Sequence, residues 1–280
     1  MAIPVALAAR TLAIPVLLWE GNLAPGRSSR AIAGLVTCTA VSYGETCRRL
    51  PPRVPCYETG TPIRDLSGAD RKTARDRLGL PADASVVLVF GGSQAVRRLN
   101  TAVEAALPEL VAARHVVHVT GDDGYAAALS ARERLAPELR GRYRPEPFLR
   151  EAMTDALVAA DLVVGRAGSS TLAEVTALGL PMVVVPYRYA GGHQHANAER
   201  LASAGAAILV EDEALDGPAL LGALAILDDP ARLTAMRAAA RSLGRPGAAD
   251  AVVDLLLALA RRAPLPTREA IANRSTGTAT

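Results

Sequence analysis

The chain has 280 residues, half of them hydrophobic, which is enough for two packed α/β units and excludes a disordered protein. Its net charge is +3 and the charges are mixed along the chain, so no nucleic-acid partner is expected. Three cysteines without a CxxC pair predict reduced, mostly buried thiols and no metal site, namely Cys38, Cys47 and Cys56.

The N-terminal stretch is apolar and has the look of a signal peptide or membrane anchor. Arg10 and two prolines interrupt it and no basic segment precedes it, so we predict a helix over Pro4–Leu12 and a strand over Pro15–Trp19. The first block, residues 1–64, then holds at most three strands. That is fewer than a stable open sheet normally has, and we expect further sequence upstream to complete it.

A polar segment after Gly60–Arg64 marks a boundary, beyond which apolar strands alternate with helices over residues 65–262. Alternation of this kind predicts a parallel sheet whose ligand lies beyond the carboxyl ends of the strands. Residues 263–280 are polar and are predicted to be a disordered tail. A second strand of the first block is predicted over 37–41. The strands predicted within residues 65–262 are 86–90, 116–120, 162–164, 182–185 and 207–210.

The segment from Asp161 to Glu174 runs from an apolar strand through a glycine turn into a helix that starts near Ser170. The free N–H groups and dipole of a helix start attract anions such as phosphate. Glu174, one turn further on, is placed to accept hydrogen bonds from two sugar hydroxyls. The alternative is a capping box, in which Thr171 and Glu174 only close the helix end.

Two further loops follow predicted strands. Ser93, in the turn Gly91–Gln94, has a hydroxyl and an N–H for phosphate, although such turns are often purely structural. His193 and His195 could suggest a metal site, but they are two residues apart and no third ligand is near. His193 and Gln194 fit a hydroxyl-rich substrate better, because both side chains donate and accept hydrogen bonds. Arg64 either binds a phosphate or forms a surface ion pair with a neighbour such as Asp65 or Glu58.

Taken in order, these motifs resemble the MurG family of UDP-N-acetylglucosamine:N-acetylmuramyl-(pentapeptide) pyrophosphoryl-undecaprenol N-acetylglucosaminyltransferases, in glycosyltransferase family 28. That family has the two-lobed GT-B fold, an α/β architecture of two Rossmann-type domains. The segments that carry the resemblance are Trp19–Asn22 with Pro25 and Gly26, Gly60–Arg64, Gly91–Gln94 with Asn100, Arg166–Glu174, Gly179–Pro181 and His193–Asn197.

The resemblance implies that residues 65–262 bind UDP-GlcNAc. Glu174 would hold the ribose, Ser93 and Ser169–Thr171 the diphosphate, and the Leu149 backbone would lie near uracil. His193 and Gln194 would hold the GlcNAc hydroxyls, with Arg64 beside the nucleotide and Asn22 facing the sugar. The implied substrate-binding residues are Asn22, Arg64, Ser93, Leu149, Ser169, Ser170, Thr171, Leu172, Glu174, His193 and Gln194.

The implied reaction is an inverting transfer of GlcNAc, without metal or cofactor, to the muramyl 4-hydroxyl of undecaprenyl-diphosphate-linked MurNAc-pentapeptide. This is the lipid I to lipid II step of peptidoglycan synthesis. Residues 1–64 would be the remnant of an N-terminal domain that faces the acceptor and the membrane. The partners would be UDP-GlcNAc, the polyprenyl-linked acceptor and a membrane surface, with the protein peripheral to the cytoplasmic face of the bacterial plasma membrane.

The chain also departs from the family pattern. Trp19 and Gly21 stand where the family has His and Gln, and Ala95-Val96 replaces Gly-Ala. The family's first loop, Gly-Gly-Thr-Gly-Gly-His, whose histidine is the favoured base, has no counterpart in the sequence, so no catalytic residue is assigned. We expect that Met1 is an internal methionine. The alternatives are a non-catalytic or partner-dependent UDP-sugar-binding module, or another GT-B enzyme such as a glycolipid glycosyltransferase or a UDP-GlcNAc 2-epimerase.

Overall fold

The chain forms two parallel β-sheets in a computed structural model that describes residues 2–66, 68–91 and 97–277. The smaller sheet has three strands in the order β1-β2-β3. As predicted for the first block, it is short and parallel, with Trp19 beside Ala40 in the register. Its strands are β1 (Leu17–Glu20), β2 (Cys38–Val41) and β3 (Cys56–Glu58).

The larger sheet has six parallel strands in the order β6-β5-β4-β7-β8-β9. The strand order reverses between β4 and β7, so the crevice at their carboxyl ends is the expected ligand position. The strands are β4 (Val86–Phe90), β5 (His115–Val119), β6 (Tyr143–Glu146), β7 (Leu162–Gly165), β8 (Met182–Val184) and β9 (Ala207–Leu209). Strand β6 was not predicted, because this edge strand contains charged residues and Pro145 rather than an apolar run.

Helices cover both faces of the larger sheet. Leu88 and Val163 pack into one apolar cluster while Val87 and Val164 pack into the other, which explains the continuous apolar runs of these strands. The helices are α1 (Ala2–Thr11), α2 (Arg27–Ile32), α3 (Arg71–Leu78), α4 (Arg97–Ala113), α5 (Asp122–Arg134), α6 (Met153–Ala159), α7 (Ser169–Leu178), α8 (His193–Ser203), α9 (Gly217–Leu224), α10 (Pro230–Leu243), α11 (Ala248–Ala260) and α12 (Arg268–Thr276).

The C-terminal segment corrects the prediction of a disordered tail over residues 263–280 for residues 263–277, while residues 278–280 lie outside the described part of the chain. Thr267 caps α12 by accepting a hydrogen bond from the Ala270 N–H, and Ile271 is only 1% exposed. Ile271 packs with Leu255 of α11 and Tyr57 of β3. The chain end therefore returns to complete the core of the smaller sheet, which a short polar stretch did not indicate.

The cysteines correct a second prediction. Cys47 and Cys56 form a disulfide that joins the segment before β3 to the strand itself. Cys38 is the buried free thiol, and burial raises its pKa to about 11. The expectation of three reduced thiols was wrong for two of them, since spacing in sequence does not show which sulfur atoms meet in space.

The two sheets are joined through Gly60, whose φ of +81° favours glycine. A Cβ there would lie 2.5 Å from the Cβ of Arg245, on the α10–α11 connection, so the chain passes too closely for a side chain. Helix α1 exposes apolar side chains, with Ile3 44% and Val5 67% exposed. No helix among the described residues is long and apolar enough to cross a membrane.

Candidate functional site

Helix α7 begins at the switch point, and its first N–H groups have no acceptor within the helix. Its N-cap is Gly168, which has no capping side chain, and the first helical hydrogen bond is from Leu172 N to the Gly168 carbonyl. The N–H groups of Ser169, Ser170 and Thr171 therefore have no acceptor within the helix. The capping-box alternative is wrong because Thr171 lies inside the helix, and the predicted anion-binding geometry is present.

Strands β4 and β7 end side by side, with Phe90 of β4 paired with Gly165 of β7. A Cβ at Gly165 would lie 2.8 Å from the Phe90 carbonyl oxygen, so only glycine permits this close approach of the strands. Ser93 lies outside the described residues, and its predicted contact with phosphate stays a prediction. Leu149 follows β6 at the same edge of the sheet and its side chain is buried in the core, as is that of Leu172. The predicted roles of both remain expectations.

Arg64 and Glu174 form an ion pair across the two parts of the chain. The Arg64 Nε donates to Glu174 Oε1 at 2.8 Å, and Arg64 also donates to the Thr154 hydroxyl. The Glu174 side chain is 11% exposed and that of Arg64 is 43% exposed. Because water reaches the arginine, a ligand can exchange for this contact at small cost.

This pair differs from the surface alternative, in which Arg64 meets Asp65 or Glu58. The carboxylate beside Arg64 is Glu174, and Glu58 accepts instead from Arg245 at 3.4 Å. The linker arginine therefore points at the carboxylate predicted to hold the ribose, which favours the functional interpretation of both residues.

His193 and Gln194 begin α8 and are both held by the backbone. The His193 Nδ1 donates to the Ala24 carbonyl at 2.9 Å, which leaves Nε2 of the neutral ring as an acceptor. The Gln194 Oε1 accepts from the Tyr187 N–H, which leaves its amide NH₂ as a donor. The pair thus offers one acceptor and one donor, the complement of a sugar hydroxyl.

Asn22 lies in the loop after β1 and contacts α8. Its Oδ1 accepts from the Nδ2 of buried Asn197, whose own Oδ1 accepts from the Leu23 N–H. Asn197 also donates to the Ala167 carbonyl before α7. Asn197 therefore ties together three segments that carry predicted site residues.

Glu20 holds the same loop by accepting hydrogen bonds from its backbone N–H groups. Burial raises the pKa of this carboxyl, but hydrogen bonds from the Ser29 side chain and from the N–H groups of Asn22 and Gly26 outweigh burial, so the pKa lies below its ordinary value. Glu20 is only 5% exposed. An ionised carboxylate that accepts several hydrogen bonds is a fixed structural element, and it holds Asn22 in place.

Trp19 and Gly21 are sterically coupled. A Cβ at Gly21 would lie 2.6 Å from the Trp19 ring and 2.9 Å from the Ser169 hydroxyl. The indole N–H of Trp19 donates to the Gly60 carbonyl at 3.3 Å. The indole therefore occupies space that a side chain at position 21 needs, so the residues at these two departures from the family pattern constrain each other sterically.

A buried polar network, which was not predicted, joins β5 and β6 to the first turns of α4. His118 of β5 is hydrogen-bonded through Nδ1 to the Tyr143 hydroxyl and through Nε2 to the Asn100 side chain. The Asn100 Nδ2 donates to the Thr120 carbonyl. Burial lowers the pKa of His118 to about 3, so the ring is neutral. The network fixes the first turns of α4 against the carboxyl end of β5.

No group of three or more His, Cys, Asp or Glu side chains is placed to hold a metal within the part of the chain that the structure describes. His193 and His195 have separate protein partners. His195 Nε2 pairs with Glu211. Hydrogen bonds that the ring donates to the Glu211 and Glu199 carboxylates raise its pKa, although slight burial opposes this.

Comparison with known proteins decides the family. Residues 86–252 match the glycosyltransferase family 28 C-terminal domain. A UDP-N-acetylglucosamine–N-acetylmuramyl-(pentapeptide) pyrophosphoryl-undecaprenol N-acetylglucosamine transferase of Desulforudis audaxviator is 40% identical over 92% of this chain and 70% of its own length. The protein of that name from Moorella thermoacetica is also 40% identical, over 91% of this chain and 70% of its length. The chain belongs to the MurG family.

Solved structures agree with this family. Acinetobacter baumannii MurG superposes with a TM-score of 0.72 at 28% identity, covering 90% of this chain and 69% of that one. A UDP-N-acetylglucosamine 2-epimerase from Listeria monocytogenes superposes at 0.67 with 16% identity, covering 93% and 72%, and shows the fold alone. The predicted GT-B-like α/β class of this MurG-family chain is confirmed.

Proposed function

We propose that this chain binds UDP-GlcNAc at the β4–β7 switch point and serves the transfer of GlcNAc to the muramyl 4-hydroxyl of an undecaprenyl-diphosphate-linked MurNAc-pentapeptide. The observation that carries the proposal is the 40% identity to transferases of that name over nine-tenths of the chain. The geometry supports it, because Arg64, Glu174 and the start of α7 meet where a nucleotide sugar would lie.

The donor is expected to bind as follows. The ribose hydroxyls would replace the Arg64 Nε at the Glu174 carboxylate, and the diphosphate would accept hydrogen bonds from the N–H groups of Ser169–Thr171. The released guanidinium of Arg64 stays beside the nucleotide, where it balances the diphosphate charge. His193 and Gln194 would hold the GlcNAc hydroxyls, with Asn22 on the opposite side.

The chemical task of this half of the site is to stabilise the departing UDP. Negative charge grows on the diphosphate as the bond to C1 of GlcNAc breaks, and fixed N–H dipoles and a guanidinium lower the free energy of that state. The transfer would invert the configuration at C1 and would need no metal. The base that takes the proton from the acceptor hydroxyl is not assigned to a residue of this chain. We place the protein peripherally at the cytoplasmic face of the membrane, where a polyprenyl-linked acceptor lies.

Titration calorimetry with UDP-GlcNAc tests the donor part of the proposal. We expect wild-type chain to bind and Glu174→Ala to bind roughly ten- to 150-fold more weakly, because a hydrogen bond to a charged group contributes about 1.5–3 kcal/mol. Glu104→Ala is the matched control, since Glu104 is another ion-paired carboxylate, partnered by Arg134 away from the site. Absence of binding by the wild type would contradict the proposal.

An assay of products separates this function from its relatives in fold. UDP release that requires a lipid-linked muramyl acceptor is the predicted result. Conversion of UDP-GlcNAc to UDP-ManNAc without any acceptor would assign the chain to the epimerases instead. Donor binding with neither product would identify a UDP-sugar-binding module.

A further inference from the structure

A cavity of about 670 Å³ opens at the carboxyl edge of the larger sheet, beside the donor residues but lined by a different set. It lies between the first turn of α4, the ends of β7 and β8, and the turn after β9. We call it the arginine cavity, after Arg97, Arg98, Arg166 and Arg188, which line it with Tyr187 and Tyr189.

The arginine cavity carries excess positive charge. Arg166 is buried and pairs with buried Asp212 at 2.6 Å, while Arg188 pairs with exposed Glu213 at 3.0 Å. Arg98 donates to the Glu213 carbonyl, and the Arg97 guanidinium makes no hydrogen bond or ion pair with any described residue. Four guanidinium groups thus meet two carboxylates, which favours an anionic ligand.

Two tyrosine rings form an exposed wall of the same cavity. Tyr189 is 72% exposed, lies edge-on to Tyr187 at 5.5 Å between ring centroids, and has the Arg188 guanidinium 4.8 Å from its ring centroid. Exposed aromatic rings backed by guanidinium groups provide a rigid surface for peptide groups and a partner for carboxylates. A small inorganic anion would leave this wall unused.

Resting on the proposed function, we propose that the arginine cavity binds the carboxylates of the acceptor's peptide. The hydroxyl that reacts is on C4 of the muramyl ring, and the peptide is attached through the neighbouring C3, so it leaves the reaction centre beside the transferred sugar. The polyprenyl diphosphate is on C1, across the ring, and points away. Among the anionic groups of the acceptor, the peptide is therefore the one that begins next to the donor sugar.

The loop geometry connects the two sites. Gln194, expected at the GlcNAc hydroxyls, accepts from the N–H of Tyr187, which lines the arginine cavity. An extended pentapeptide spans roughly 17 Å, and we expect it to run from the sugar site toward the cavity. Its carboxylates would then meet Arg97 and Arg98, which offer planar, bidentate donors.

Calorimetry with soluble ligands tests this assignment on the whole chain. The ligands are N-acetylmuramyl-pentapeptide and the same compound with its peptide carboxylates converted to amides. We expect wild type to bind the acid about tenfold more tightly, and the double variant Arg97→Ala/Arg98→Ala to bind both alike. Arg134→Ala, which removes an arginine that pairs with Glu104 of α4 outside the cavity, is expected to behave as wild type.

A wild type that does not distinguish acid from amide overturns the assignment, as does displacement of the peptide ligand by inorganic diphosphate at equal concentration. A double variant that loses UDP-GlcNAc affinity and keeps the preference for the acid would mean that the cavity binds the donor diphosphate. That result also overturns the assignment of the cavity to the peptide. UDP-GlcNAc binding by wild type is measured in parallel, so failure of the proposed donor site is seen separately.

Discussion

Two arginine–carboxylate pairs at the same edge of the larger sheet differ in exposure and, by our account, in purpose. Arg166 and Asp212 have side chains 4% and 6% exposed, whereas Arg64 and Glu174 are 43% and 11% exposed. A buried pair cannot lose one partner without a large desolvation penalty, but a half-exposed pair is weak and exchangeable. The first pair therefore fixes structure, and the second holds a carboxylate ready for a ligand.

The largest expected effect is from Asp212→Asn. The substitution removes the counter-charge of a buried guanidinium, and we expect the free energy of unfolding to fall by about 3–5 kcal/mol. Urea denaturation measures this. Glu213→Gln changes the neighbouring exposed carboxylate and should cost less than about 1 kcal/mol. Equal small losses in both variants would mean that burial makes the Arg166–Asp212 pair no more important for stability than an exposed pair.

His118 extends the comparison to a buried group that must stay neutral. Its folded-state pKa, about 3, lies below the ordinary 6.5, so the unfolded state binds the proton more readily and stability is lost as pH falls below 6.5. We expect about 2 kcal/mol less stability at pH 5 than at pH 7 from this group. His118→Gln should flatten the dependence of the unfolding free energy on pH between pH 5 and pH 7. If the variant and the wild type show the same pH dependence, the His118 pKa is not shifted by folding.

Gly21→Gln tests whether the loop facing the donor tolerates the family's residue. Because a side chain at position 21 meets the Trp19 ring and Ser169, we expect a loss of about 1–2 kcal/mol, as in overpacked sites. The double variant Trp19→His/Gly21→Gln should recover most of it. Additive losses in the double variant, seen in the same thermal or urea unfolding experiment, would mean that the two positions are independent.

Arg64→Ala is expected to have the smallest effect on folding. Its pair with Glu174 is half exposed, so stability should change by less than about 1 kcal/mol, while UDP-GlcNAc affinity falls about tenfold. Arg245→Ala breaks the comparable Arg245–Glu58 pair and should leave affinity unchanged. An Arg64 variant with unaltered affinity and a large stability loss would make the pair structural.

The features that were predicted correctly from the sequence are those with a local residue pattern. The apolar run Val86–Phe90 is β4 at the predicted bounds, and the glycine turn before Ser169 is the start of α7. These features are local because a buried parallel strand and a helix start each have their own residue pattern. For the same reason the start of α7 and the start of α8, which follow β7 and β8, lie at the carboxyl end of the larger sheet.

Contacts between residues that are far apart in the sequence could not be predicted from it. Arg64 and Glu174 are 110 residues apart, and only the fold shows that they meet. The disulfide between Cys47 and Cys56, and the packing of Ile271 on the smaller sheet, likewise depend on tertiary proximity. The coupling of Trp19 with Gly21 is local in sequence but steric, and residue identity alone showed only two departures from a pattern.

The claim that Glu174 holds the ribose hydroxyls is tested most directly by a cycle of two ligands and two proteins. Calorimetry would compare UDP with 2′,3′-dideoxy-UDP on wild type and on Glu174→Ala. We expect wild type to bind the dideoxy ligand at least about tenfold more weakly and Glu174→Ala to bind both equally, since the contact is lost from either side. An equal preference for UDP in both proteins would contradict the account.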